Sequence, residues 1–173
     1  MKYRSTPYLR FNKFKEKWQL KVLGNLGSVA MNKRIFKEET SEVGEIPFYK
    51  IGTFGSEPDS FITREKFEEY KSKYPYPEIG DILISASGSI GRTVEYQGEE
   101  AYFQDSNIVW LSHDDRLDNT FLKYFYSFSD YSNSFLNSRT RNTKEFSNLL
   151  LRKPLKSIQP YNQSLLIIKT HDC

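Results

Sequence analysis

One loop of this sequence combines small residues, hydroxyls and a cation in a spacing that suits contact with an anionic or flat ligand. It follows Gly80-Asp81 and the apolar run Ile82-Leu83-Ile84, a pattern typical of a turn and a buried strand. Glycines let a backbone approach a ligand closely, while hydroxyls and exposed N–H groups donate hydrogen bonds to phosphates or base edges. The residues with these properties are Ser85, Ser87, Gly88, Ser89, Gly91 and Arg92.

The same composition is also typical of a hairpin turn that binds no ligand, and the sequence leaves this alternative open. A nucleotide-binding loop of the Walker type is set aside. The segment Gly88-Ser89-Ile90-Gly91-Arg92-Thr93 lacks the lysine before the hydroxyl residue, and its glycines are too closely spaced.

A second pattern loosely matches metal-dependent nucleases. Pro58-Asp59 is followed by Glu69-Tyr70-Lys71, which offers two carboxylates for a magnesium ion and a lysine to support the attacking water. Glu69 and Lys71 lie two residues apart within a helical pattern and point to different faces, which disfavours this interpretation. A nuclease that uses Asp59, Glu69 and Lys71 stays as an alternative function.

Other metal, redox and membrane chemistry has few candidates. The chain has two histidines and one cysteine without zinc-ligand spacing, and His113 beside two aspartates is more typical of a solvated turn. The single cysteine, Cys173, rules out an internal disulfide framework and suits a reducing cytoplasm. No apolar run reaches the roughly 18 residues of a membrane span, and no secretory signal follows the basic N-terminus. We therefore expect a cytoplasmic protein with no metal, no cofactor and no membrane partner.

Charge is distributed unevenly along the 173 residues. Residues 1–37 hold ten lysines and arginines against one acid, residues 38–118 hold seven against eighteen acids, and residues 119–173 hold eight against three. Basic stretches with aromatic residues between them are typical of proteins that bind polyanions, although a charge run is more often a solvated face. Aromatic residues make up 16% of the chain, which modestly favours a binding function.

The elements that position the loop are mainly predicted strands. Strand patterns cover Trp18 to Val22, part of the segment from Gly44 to Gly55, and residues 82–84, 94–96, 101–103 and 108–111, with a last apolar strand at Leu149–Leu151. A short helix over residues 64–73 begins after the N-cap Thr63. An amphipathic helix over residues 119–137 begins at Asp118-Asn119-Thr120, and a polar basic loop over 138–144 follows it. The form of residues 31–40 is left unassigned. The sequence predicts an α+β domain with a mixed or antiparallel sheet, one long helix and one shorter helix.

An ordered set of short motifs resembles a target recognition domain of the specificity subunit of type I restriction-modification enzymes. The resemblance covers roughly residues 8–160. Its motifs are Leu9-Arg10-Phe11, Trp18 with Leu23-Gly24, Gly44-Glu45-Ile46-Pro47-Phe48-Tyr49-Lys50, Gly80-Asp81-Ile82-Leu83-Ile84-Ser85 with Gly88-Ser89-Ile90-Gly91-Arg92, Gln104-Asp105-Ser106-Asn107, and Phe121-Leu122-Lys123-Tyr124-Phe125.

The resemblance implies a non-catalytic subunit that directs a methyltransferase (modification) subunit and a restriction (motor and nuclease) subunit to one half of a bipartite double-stranded DNA target. It implies a single recognition domain over residues 1–160, with residues 161–173 as the truncated start of a spacer helix. Such subunits usually carry two recognition domains, so we expect a half-subunit that could pair with a second one.

The candidate DNA contacts fall into two groups. Basic residues in polar segments suit phosphates, and these are Lys33, Arg34, Arg139, Arg141 and Lys144. Residues at strand ends and in the central loop suit bases or backbone, and these are Lys50, Thr53, Ser85, Ser87, Ser89, Arg92, Gln104 and Ser106. Among these, Arg92 or Lys50 could read guanine and Gln104 could read adenine. A protein-interaction module that has lost DNA binding is a third hypothesis, which fits the acidic middle of the chain.

Overall fold

The structure is a computed structural model that describes residues 19–127, 143–152 and 154–158. Within these ranges the strands are β1 (Gln19–Val22), β2 (Gly27–Ala30), β3 (Ile46–Tyr49), β4 (Phe61–Ile62), β5 (Ile82–Ser85), β6 (Thr93–Glu95), β7 (Tyr102–Phe103), β8 (Ile108–His113) and β9 (Pro154–Ile158). The described α-helices are α1 (Arg64–Lys73), α2 (Asn119–Ser127) and α3 (Thr143–Leu151).

The described strands form three sheets. A four-stranded antiparallel sheet has the order β2-β8-β5-β6, a three-stranded sheet has the order β4-β3-β7, and β1 pairs with β9. In the three-stranded sheet β3 is antiparallel to β4 and parallel to β7. The predicted α+β class with mixed and antiparallel pairing is therefore confirmed.

Strand β5 lies in the middle of the protein core, and all four of its residues are buried. Because successive side chains of a strand point to opposite faces, its apolar residues divide between two clusters. Ile82 and Ile84 pack in the cluster that also contains residues of α2 and α3, while Leu83 packs with Phe54 and Trp110. Side chains on both faces hold this strand in place, which makes its C-terminal end a rigid support for the loop that follows.

Two helix starts match the caps predicted from sequence. The Thr63 side chain accepts a hydrogen bond from the Lys66 N–H at 3.3 Å, and α1 runs from Arg64 to Lys73. The Asp118 carboxylate accepts a hydrogen bond from the Phe121 N–H at 2.9 Å at the start of α2. Residues 128–137 of the predicted second helix lie outside the described residues.

The prediction of a strand at Leu149–Leu151 is wrong, because these residues end helix α3. Phe146 and Leu150, four residues apart, are both fully buried against Leu23 and Leu26. This spacing places both side chains on one helical face, whereas three successive leucines resembled a short strand. Residues 31–40 run mainly without regular structure and include a 3-10 turn at Lys37–Glu39. Among the described residues, no helix has the length and apolar character required to cross a membrane.

Candidate nucleic-acid interface

Three loops meet beside the end of β5, and we call residues 50–56, 86–92 and 104–107 the three-loop cluster. The Gln104 Oε1 atom accepts a hydrogen bond from the Ile51 N–H at 2.9 Å, which joins the third loop to the first. The Asn107 carbonyl accepts from the Ala86 N–H at 2.7 Å, and its side-chain Oδ1 accepts from the Ser87 hydroxyl at 2.6 Å. The third loop therefore holds the other two in a fixed relation.

The central loop has an internal hydrogen-bond network built on Ser85. The Ser85 side chain is fully buried, and its hydroxyl donates to the Ser89 carbonyl and accepts from the Arg92 N–H at 2.9 Å. Gly88 and Gly91 have φ values of 61° and 87°, in the region that glycine adopts most easily. Ser85 was predicted to contact DNA, but its buried hydroxyl has two partners inside the protein, which assigns it to shaping the loop.

Arg92 and Ser89 occupy the exposed part of the same loop. The guanidinium carbon of Arg92 lies 5.6 Å from the centre of the Phe54 ring, which is buried in the first loop. An arginine over an aromatic face gains a cation–π attraction, and the N–H groups in the guanidinium plane stay available as donors. This contact adds a third connection between the loops and holds a cation at the surface.

The remaining candidates of the first loop have partners close by. Lys50 Nζ lies 2.8 Å from Asp59 Oδ1, and both side chains are well exposed. The Thr53 hydroxyl accepts from the Lys50 N–H at 3.2 Å and donates to the Lys50 carbonyl, so it shapes the turn. In the third loop the Ser106 hydroxyl donates to Asp105 Oδ2 at 3.2 Å, and Ser106 itself has a φ of 60°.

Arg34 joins the three-loop cluster through Asp105. The Arg34 Nε atom lies 2.9 Å from Asp105 Oδ2. The neighbouring Lys33 places its Nζ 5.1 Å from the centre of the Tyr74 ring, and its carbonyl accepts a hydrogen bond from the Tyr102 hydroxyl at 3.0 Å. Burial raises the pKa of Tyr102, so this phenol stays a neutral donor at ordinary pH.

The predicted contacts therefore divide by location. The structure brings together Arg34, Lys50, Thr53, Ser85, Ser87, Ser89, Arg92, Gln104 and Ser106. Lys144 lies exposed in α3 rather than in a loop, outside the three-loop cluster. Arg139 and Arg141 lie outside the described residues.

Sequence reasoning missed the structural roles of Asp105 and Asn107. Both stand in the Gln104-Asp105-Ser106-Asn107 motif, which follows a strand and interrupts an apolar run. Such an interruption signals a loop, but it gives no information on which other loop each side chain contacts. That information comes only from the tertiary arrangement.

The residues of the nuclease alternative do not converge. Asp59 pairs with Lys50, while Glu69 pairs with Lys73 at 3.1 Å. Lys71 Nζ lies 5.1 Å and 5.0 Å from the ring centres of Phe67 and Tyr76. In the part of the chain that the structure describes, no group of three His, Cys, Asp or Glu side chains is arranged to hold a metal ion. The nuclease alternative is not supported.

The fold is shared with solved subunits of type I restriction-modification systems. The HsdS subunit from Thermoanaerobacter tengcongensis matches 90% of this chain with a TM-score of 0.55 and 17% identity. A chain from a structural study of complex assembly and conformational transition of the type I system matches 95% with a TM-score of 0.58 and 18% identity. These likenesses show that the chain shares the fold of part of each of these solved chains.

The chain belongs to the family of type I restriction modification DNA specificity domains, whose model matches residues 15–163. It is also 58% identical over 110 residues, 63% of its length, to a type I restriction enzyme specificity subunit of Haemophilus influenzae. The chain spans 29% of that relative, and 36% and 39% of the two solved chains. The family resemblance in the sequence is thereby confirmed.

Proposed function

We propose that this chain binds double-stranded DNA through the three-loop cluster and reads one half of a bipartite target sequence. The observation that carries this proposal is the fixed arrangement of three polar loops, with exposed arginines, in a member of a DNA specificity family. Rigid loops can present donors and acceptors to base edges without a large loss of conformational freedom on binding.

Exposure separates the side chains that can contact DNA from those that hold the loops in place. Ser89 and Arg92 stand exposed in the central loop and suit contacts to bases or to the DNA backbone, whereas the half-buried Ser87 uses its hydroxyl to hold Asn107. Lys33, Lys50 and Lys144 suit phosphate contacts, as do Arg139 and Arg141, since their charge attracts the backbone of any duplex. Ser85, Thr53 and Gln104 act indirectly, because each uses its side chain to hold a loop.

We propose that the chain acts as a non-catalytic recognition module. In this role residues 1–160 form one target recognition domain and residues 161–173 begin a spacer. The module directs a methyltransferase subunit and a restriction subunit to its half-site in the cytoplasm. The name of the Haemophilus influenzae relative, a type I restriction enzyme specificity subunit, supports these partners.

A binding selection tests the proposal. The purified chain is titrated by fluorescence anisotropy against a pool of randomised duplexes at about 50 mM and about 200 mM salt, and the bound fraction is sequenced. We expect salt-dependent affinity for every duplex and enrichment of one short motif. Binding without enrichment would contradict sequence reading, and no binding at either salt concentration would contradict the DNA-binding function altogether. In the presence of magnesium we expect the chain to leave plasmid DNA intact. Cutting of the plasmid would contradict a non-catalytic role.

A further inference from the structure

Arg34 is exposed on a backbone segment that is anchored on both sides. Asn32 is 3% exposed and its amide donates to a backbone carbonyl at 3.3 Å, while Ile35 is 8% exposed within the core. Between them, the Lys33 carbonyl accepts a hydrogen bond from the Tyr102 hydroxyl. The backbone at Arg34 is therefore held against the domain while the residue itself is exposed.

The ion pair between Arg34 and Asp105 is asymmetric. The Arg34 side chain is 57% exposed, whereas the Asp105 side chain is 13% exposed. In the pair of Arg116 and Asp114 both side chains are more than half exposed, as expected of an ordinary surface ion pair. A carboxylate held inside the three-loop cluster fixes the direction of an arginine that points outward.

The contact uses only one edge of the Arg34 guanidinium. Asp105 accepts from Nε, and neither Nη atom has a hydrogen-bond partner among the residues that the structure describes. Two parallel donors on a rigid plane match the N7 and O6 acceptors of guanine in the major groove. A phosphate can be approached from many directions and does not require the plane of the guanidinium to be fixed.

We propose that Arg34 reads a guanine in the major groove through its two Nη atoms and that Asp105 is the positioning residue that orients it. This proposal rests on the proposed function, DNA reading by the three-loop cluster. Arg34 thereby changes from a candidate phosphate contact to a specificity-determining residue. Since Asp105 already balances the charge of Arg34, the pair adds little to the attraction for phosphates.

Two variants and a matched control test the proposal by selection from the randomised duplex pool. Arg34→Ala is expected to lose the preference for G·C at one position of the enriched motif, by about 5- to 150-fold, and to keep the preferences elsewhere. Because Asp105 loses its partner in this variant, the affinity for every duplex is also expected to fall, to a similar extent for related and unrelated sequences. Arg116→Gln, which removes an exposed pair beyond the far end of β8, is expected to change neither quantity.

Asp105→Asn tests two roles of Asp105, the orientation of the Arg34 guanidinium and the balancing of its charge. This variant keeps the Arg34 guanidinium but weakens its support, so it is expected to lose part of the preference at the same base pair. It also releases a positive charge, so its affinity for unrelated duplexes is expected to rise, which a purely structural role of Asp105 would not produce. Thermal melting of each variant checks that the fold is retained.

Three results would overturn the proposal in distinguishable ways. If Arg34→Ala weakens binding to all duplexes and keeps every base preference, Arg34 acts through its charge alone. If both the affinity and every base preference survive in Arg34→Ala, the residue does not contact DNA. If the unaltered chain enriches no motif, the proposed function itself fails and this inference fails with it.

Discussion

Replacing Ser85 with alanine removes the hydroxyl that holds the central loop in shape. The side chain is fully buried and takes part in two hydrogen bonds, one to the Ser89 carbonyl and one from the Arg92 N–H. A typical hydrogen bond contributes about 0.5–1.5 kcal/mol net, and two of them give about 1–3 kcal/mol. The Arg92 N–H also lies 3.3 Å from the Ser89 carbonyl, which offsets part of the loss. We therefore expect Ser85→Ala to lower the free energy of unfolding by about 1–2 kcal/mol.

Ser89→Ala is the matched control, because it removes the same hydroxyl from an exposed position four residues further along the same loop. Urea denaturation at constant pH measures both variants, and Ser89→Ala is expected to stay within about 0.5 kcal/mol of the unaltered chain. Direct contact with DNA concerns the other residue of this pair, because Ser89 is exposed at the surface whereas the Ser85 hydroxyl is buried. Equal stability of the two variants would refute the view that Ser85 organises the loop from inside the protein.

Two further predictions concern the domain that supports the loops. Tyr76→Phe removes a hydroxyl that donates to the Ala101 carbonyl at 2.6 Å and lies 3.1 Å from the Tyr96 hydroxyl. We expect the free energy of unfolding, measured by urea denaturation, to fall by about 1–2 kcal/mol. An unchanged denaturation midpoint would contradict this prediction. The hydrogen bond from Lys66 lowers the pKa of Glu39, so this pair contributes stability above the ordinary carboxylate pKa of about 4.3 and loses it as pH falls through the lowered value. Glu39→Gln is therefore expected to destabilise the chain at pH 7 by about 1 kcal/mol or less, and this loss is expected to shrink as the pH falls through the lowered pKa of Glu39, as measured by thermal melting. An equal loss at every pH would contradict the ion-pair explanation.

Local signals in the sequence were sufficient for several elements of the fold. A continuous apolar run after the Gly80-Asp81 turn located β5, and a threonine before a polar helical pattern located the start of α1. These signals extend over only a few residues, so they can be recognised without knowledge of the tertiary structure. Helix α3 was missed because its helical face is defined by contacts with Leu23 and Leu26, which are distant in the sequence.

The candidate site was predicted at the level of loops more than of individual side chains. The serine and glycine composition identified the central loop, and the family motifs identified the loops around Lys50 and Gln104. Composition could not separate Ser85, which is buried, from Ser89, which is exposed, because both are serines in the same short segment. The pairing of Arg34 with Asp105 spans 71 positions in the sequence and no local pattern encodes it.

Hydrogen exchange of the 173-residue chain with and without its enriched duplex tests the central claim most directly. The slowing of amide exchange on binding marks the surface that the DNA covers, with an unrelated duplex as the reference for non-specific contact. The account predicts that the enriched duplex slows exchange chiefly in residues 50–56, 86–92 and 104–107 and in the segment around Arg34. Protection confined to other surfaces, such as α1, or equal protection by both duplexes, would contradict sequence reading by the three-loop cluster.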